Sequence, residues 1–237
     1  MNSLISQLPS PIPFLPILRA LGLTAPAVYA GITWSFDAIV LPPLLSFTVD
    51  ETVLAKQWLL AYQIGPRFVR KAMMVSLVGN GGLAVWHLCQ YSSGDRRGGK
   101  GWQLAAGLSY LMATVVFLSV GPYTFVGMER GINGAGKWKC RALFEREKEK
   151  EVGSRDTGGG RGGAGKEGKG REDLRWLTPE FYNTATRIQY VTPEWKNWAE
   201  KVSMREIVLM WQVWNRPRIW IGWAAALASL SGAWVGS

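Results

Sequence analysis

A single histidine, His87, and two cysteines, Cys89 and Cys140, are all that this 237-residue chain offers in imidazole and thiol. One imidazole cannot build a multi-histidine metal centre within one chain. Cys89 lies in an apolar run and Cys140 in what reads as a loop, so neither a disulfide framework nor zinc spacing is present, and nothing indicates an oxidising compartment. No nucleotide-binding signature occurs. The start of the chain lacks a basic flank and carries Pro9, Pro11, Pro13 and Pro16 among apolar residues. Residues 1–18 therefore make a poor signal peptide and a poor helix, and an irregular arm lying along the membrane interface is expected. Charge of one sign is in excess, at +10, which invites a nucleic-acid reading. The bases are scattered beside apolar runs or mixed with acids, as in 145–151, where a nucleic-acid stripe would be one-signed. Lys and Arg facing anionic lipid explain the excess more simply, and no nucleic-acid partner is expected.

What the chain has in quantity is apolar sequence gathered into blocks. The stretch 102–128 carries no charge and ends in Gly121-Pro122-Tyr123-Thr124, with the polar Glu129-Arg130-Gly131-Ile132-Asn133 directly behind. Roughly 20 apolar helical residues cross the hydrocarbon of a bilayer, so this block spans it with some tilt. Between Ala20 and Val49 the only charge is Asp37. That block reads as a first membrane helix, broken near Pro42-Pro43. An aspartate near a helix centre costs about 2.5–3.5 kcal/mol on insertion scales, so Asp37 should face the bundle or a wet cavity. Residues 50–71 are mixed in character, with Trp58 and Tyr62 on one helix face and Gly65 a turn later. Residues 72–94, charge-free with His87 neutral, make a second membrane helix whose Gly79-Asn80-Gly81-Gly82 run permits close approach and interhelical hydrogen bonding.

Residues 145–173 form a charged, glycine-rich linker that cannot bury enough apolar area to offset its ordering entropy, and disorder is expected there. Thr178-Pro179-Glu180 and Thr192-Pro193-Glu194 are helix-start signatures. The helix from Pro193 carries Trp195, Trp198 and Val202 on one side and turns apolar from Ile207 to Trp214, as an interfacial amphipathic helix does. Pro217 marks a kink or break, and residues 219–237, again charge-free, are just long enough for a fourth span. The expected fold is all-α: an integral membrane four-helix bundle with an additional interfacial amphipathic helix and a disordered linker. Residues 1–144 would hold the arm and three membrane helices, and 174–237 the amphipathic helix and the fourth, completing one membrane domain. By the positive-inside rule the bases at 56–71 and beside the long loop favour both termini away from the cytosol, whereas Arg96, Arg97 and Lys100 argue the other way.

Three spaced patterns resemble a family of small four-helix membrane proteins that includes the fungal anthrone oxygenases. The first is Gly31, Ser35 and Pro42, followed by Gln57-Trp58, Tyr62 and Gly65. The second is Pro122-Tyr123-Thr124 with Met128 and Asn133, and the third is Trp211, Asn215 and Arg218. The linker is longer and richer in glycine than the family pattern, and Glu129-Arg130-Gly131-Ile132 stands where proline or threonine more often precedes the asparagine. The resemblance implies a multi-pass protein of an endomembrane that oxidises a polyketide-derived anthrone to its anthraquinone with O2, without metal or flavin, in secondary-metabolite biosynthesis. Such chemistry needs a base, a flat apolar slot and donors for an oxyanion, because deprotonation aromatises the anthrone's middle ring and the anion reduces O2 directly.

His87 is one candidate base, having the only side chain that titrates unperturbed near neutrality. Its plainer reading is a histidine bonded to a backbone carbonyl. Asp37 is the other candidate, or else pairs with an Arg or Lys at a helix end. Asn133, Asn215 and Arg218 are candidate donors to substrate oxygens, although Arg218 could equally snorkel to headgroups. Trp34, Trp58, Tyr62, Tyr123 and Trp211 are candidate stacking residues, a role that competes with the interfacial aromatic belt. Trp195, Trp198, Trp220, Trp223 and Trp234 are assigned to that belt. Two non-enzymatic readings compete: a membrane scaffold that docks pathway enzymes through its linker, and a small oligomeric transporter with Asp37 lining the path.

Overall fold

The computed structural model describes residues 14–48, 50–93, 100–157 and 191–236; for Pro66, Arg67 and residues 151–157 it defines the backbone path alone. The described residues are helical, with no strand among them. Helix α1, Phe14–Ser35, passes through a π-helical stretch, Phe36–Val40, into α2, Leu41–Phe47. Helix α3 runs unbroken over Glu51–Ser93, and α4 over Lys100–Leu118. A short α5, Val120–Pro122, leads to a second π-helical stretch, Tyr123–Met128, and then to α6, Ile132–Thr157. Helices α7, Pro193–Lys201, and α8, Met204–Val235, complete the chain. Three continuous helical stretches, Phe14–Phe47, Glu51–Ser93 and Lys100–Met128, are long and apolar enough to cross a membrane.

Several boundaries differ from the sequence reading. Residues 14–18 are helical, because Pro16 falls in the first turn of α1, where its missing N–H would have no partner anyway. Pro42 and Pro43 do not end the first span. The turn ahead of them widens, so that the Leu41 N–H reaches back to the Phe36 carbonyl, and the prolines begin the next helical segment. The mixed 50–71 segment and the second span form one helix, α3. Residues 145–157, expected to be disordered, continue α6; near their start Glu145 pairs with Arg141 one turn earlier at 2.9 Å and Glu147 with Lys56 of α3 at 2.8 Å. The rest of that linker, the Thr178-Pro179-Glu180 signature and the arm before Phe14 lie outside the described residues. Cys140 is buried within α6 rather than in a loop.

The chain divides into two compact units. The first comprises residues up to Ile32, Val69–Val120 and Arg218–Ser237. Its helices meet through small residues, as membrane helices must where apolar burial gives no net drive and contact is won by close approach. A Cβ on Gly79 would lie 2.6 Å from the Gly22 nitrogen, so only glycine lets α1 and α3 cross there. The Asn80 amide seals that crossing, donating to the Gly22 carbonyl at 3.0 Å and accepting from the Ser229 hydroxyl of α8 at 2.8 Å. Along α8, Gly222, Ala225, Ser229 and Gly232 are buried, whereas Trp220, Trp223, Leu227, Leu230 and Trp234 are exposed. Helix α8 continues without a break through Pro217, where the sequence suggests a kink or break.

The second unit comprises Thr33–Phe68 and Gly121–Pro217. Its core gathers Leu41, Leu54, Trp58, Met128, Ile132, Met204, Ile207 and Trp211. Trp58 lies flat against the start of α6, where a Cβ on Gly136 would fall 2.5 Å from the indole. The sequence suggested one helix from Pro193 to Trp214. It is two, parted at Val202-Ser203, because Ser203 and Glu206 form a reciprocal capping box that starts α8. Trp195 and Trp198, expected in an interfacial belt, are instead half-buried against this core, edge to face with each other at 5.2 Å.

Candidate functional site

In the second unit, residues of all three sequence patterns converge. Trp58 and Tyr62, one turn apart on α3, stack with ring centroids 5.3 Å apart, and Trp211 of α8 meets Trp58 edge-on at 6.3 Å. The Trp211 indole N–H donates to Asn133 Oδ1 at 2.9 Å. Asn133 in turn donates to Glu129 Oε1 at 2.9 Å, and the Tyr62 hydroxyl donates to the same oxygen. Lys137, one turn further along α6, donates to Glu129 Oε2 at 2.7 Å and lies over the Tyr62 ring. Tyr123 reaches the Trp214 carbonyl through its hydroxyl, and Asn215 is buried.

Glu129 is the hub of this network. Burial pushes its carboxyl pKa up, but the Lys137 charge and hydrogen bond, with those of Tyr62 and Asn133, together outweigh burial and hold it below the ordinary carboxylate range. Sequence reasoning missed Glu129 and Lys137. Glu129 was noticed only as a departure from the family pattern, and the signal available was its i,i+4 and i,i+8 spacing to Asn133 and Lys137. Cys140, close behind on α6, is fully buried with its thiol pKa pushed up, so it is an unreactive packing residue.

Both π-helical stretches belong to this unit, and each leaves a buried polar atom with no partner. Asp37, on the first, pairs through Oδ2 with Arg216 at 3.6 Å, while its Oδ1 is buried and unbonded. Thr124, on the second, has a buried hydroxyl with no partner, as does the Trp58 indole nitrogen. The wide turn arises where the Glu129 N–H reaches back five residues to Thr124, just past Pro122. Such turns cost hydrogen-bond geometry and recur at functional sites.

The remaining candidates lie elsewhere. Trp34 is 52% exposed. Arg218 belongs to the first unit, where its Nε donates to the Tyr29 hydroxyl at 3.2 Å. His87 also belongs to the first unit and is buried, with Nδ1 facing Gln103 Oε1 at 2.7 Å and its ring stacked on Tyr110. Among the described residues, no group of three His, Cys, Asp or Glu side chains is placed to hold a metal ion. No protein-family profile, curated protein or solved structure matches this chain.

Proposed function

We propose that this chain is a four-span membrane enzyme that uses the second unit to oxidise an anthrone-type substrate with O2, giving the anthraquinone and water, in an endomembrane that takes part in polyketide metabolism. The observation that carries the reading is the pair of π-helical stretches. Both bring an unpartnered buried polar atom, Asp37 Oδ1 and Thr124 Oγ1, into the unit where Trp58, Tyr62 and Trp211 cluster. Asp37 takes the base role, in preference to His87, because it shares a unit with those aromatic residues. Removing a CH2 proton makes an electron-rich anthrolate; O2 adds at that carbon, and loss of water from the hydroperoxide leaves the second carbonyl. Hydroxyl and amide donors stabilise the oxygen anion along the way. Helix α8 supplies the fourth span, its small residues packed inward and its tryptophans turned outward.

A second reading rests on a different observation. Both Glu129 oxygens have partners and Trp58 is clamped against α6, so the network by itself could serve as a rigid anchor in a non-catalytic scaffold. Membranes containing the chain, given a hydroxylated anthrone under labelled O2, separate the two. The enzyme reading expects quinone bearing one labelled oxygen, formed faster than in membranes without the chain, and a loss of about 100-fold in Asp37→Asn. Equal rates with and without the chain refute it and leave the scaffold.

A further inference from the structure

The first unit holds a second polar cluster that the proposed reaction does not use. Arg19 of α1 donates through Nη2 to the Gly236 carbonyl at 2.8 Å, just past the end of α8. Its Nε is buried and unbonded, and among the described residues it has no carboxylate partner. His87 of α3 and Tyr110 of α4 are each 1% exposed, with Nε2 and the phenol hydroxyl likewise unbonded. The two rings stack at 5.6 Å, and the Arg19 charge acts on both. The side chains of His87 and Tyr110, from α3 and α4, therefore bring open hydrogen-bonding atoms to the guanidinium of α1, which has no carboxylate partner among the described residues.

Their position along the helices says where that counter-ion belongs. Arg19 lies near the start of α1, His87 near the end of α3, Gln103 in the first turn of α4, and Gly236 just beyond α8. All four occupy helix ends, with Tyr110 about two turns further along α4 than Gln103, and three of those helices belong to the stretches able to cross a bilayer. Trp86, Tyr91 and Trp234 are exposed at the same helix ends, as aromatic residues are at the headgroup level. An unpaired cation at that depth is costly, and basic pockets between membrane helices take phosphate headgroups.

We propose that the Arg19–His87–Tyr110 cluster binds the phosphodiester headgroup of an anionic membrane lipid. In the closed form, the Gly236 carbonyl occupies the place of one phosphate oxygen on Arg19. Gly236 also roofs the imidazole, since a Cβ there would meet His87 Cε1 at 3.1 Å, so displacing this one residue opens the cluster. A phosphate oxygen then accepts from Arg19 Nε–H and another from the Tyr110 hydroxyl. Beside the bound anion, His87 carries its second proton and donates through Nε2–H, while Nδ1–H stays on Gln103.

The test is thermal unfolding of the purified full chain in neutral detergent, with phosphatidylglycerol or inorganic phosphate added at equal phosphorus concentration. Phosphatidylglycerol should raise the midpoint by several degrees, inorganic phosphate should not, and Arg19→Gln should abolish the rise. Tyr110→Phe, which removes one hydroxyl and keeps the ring, should fold and show a smaller rise, so the proposal stays testable if Arg19→Gln does not fold. No rise in the native chain, or the same rise in both variants, overturns the site. An equal rise with inorganic phosphate overturns the lipid as its source.

Discussion

Replacing Lys137 by methionine tests the network at the heart of the second unit. The substitution keeps most of the side-chain volume and removes the charge that faces Glu129 at 2.7 Å. At that distance, with an effective dielectric of about 20, the gross attraction is about 6 kcal/mol, most of which is offset by the desolvation of both ions. Removing one member of a buried pair costs about 3–5 kcal/mol. The lower end applies, since the Glu129 side chain is 21% exposed and retains Tyr62 and Asn133. The expected loss is thus about 3 kcal/mol, and Glu129→Gln in the same chain should recover about 2 kcal/mol of it, because a neutral amide needs no cation. Unfolding in detergent, followed by tryptophan fluorescence, measures both. The pH dependence supplies an independent check. The Glu129 carboxyl is depressed in the folded chain, so it contributes stability above its unfolded pKa of about 4.3 that is lost as pH falls through the folded value. Without Lys137 the folded carboxyl rises towards its unfolded value, so less stability depends on its ionisation and the acid-side loss should be smaller. A Lys137→Met variant that loses under about 1 kcal/mol with an unchanged acid limb would refute the reasoning.

Three other outcomes follow from the packing. Gly79→Ala places a methyl against the backbone of Gly22 and should cost about 1–3 kcal/mol in detergent unfolding, while Gly81→Ala, facing open space, should cost less. Ser203→Ala removes the cap that starts α8 and should cost about 1 kcal/mol, read as a lower unfolding midpoint. In the anthrone assay, His87→Gln should keep turnover within about twofold of the native chain, because His87 belongs to the unit that does not hold the aromatic cluster.

Helix content and the three apolar stretches were legible because periodicity and charge-free length are local properties of a sequence. Breaks were legible only in part. Pro42-Pro43 reads as a break and Pro217 as a kink or break, yet a widened turn absorbs the first and α8 continues past the second. Neighbouring helices satisfy or shield the backbone groups that proline leaves without partners, and no local pattern reports those neighbours. The aromatic residues show the same divide. Trp195 and Trp220 are alike in sequence, but one packs into a core and the other is exposed.

The order of residues alone indicated that the chain is helical and that much of it suits a bilayer, and the count of one histidine that no multi-histidine metal centre forms within the chain. Only tertiary structure decided which polar residues work together. It drew Tyr62, Asn133 and Lys137 onto Glu129, and sent Arg218 and His87 to a different unit from Asp37. The physical reason is that a buried charge or amide selects its partners by distance across helices, whereas sequence spacing fixes only the face on which each one sits.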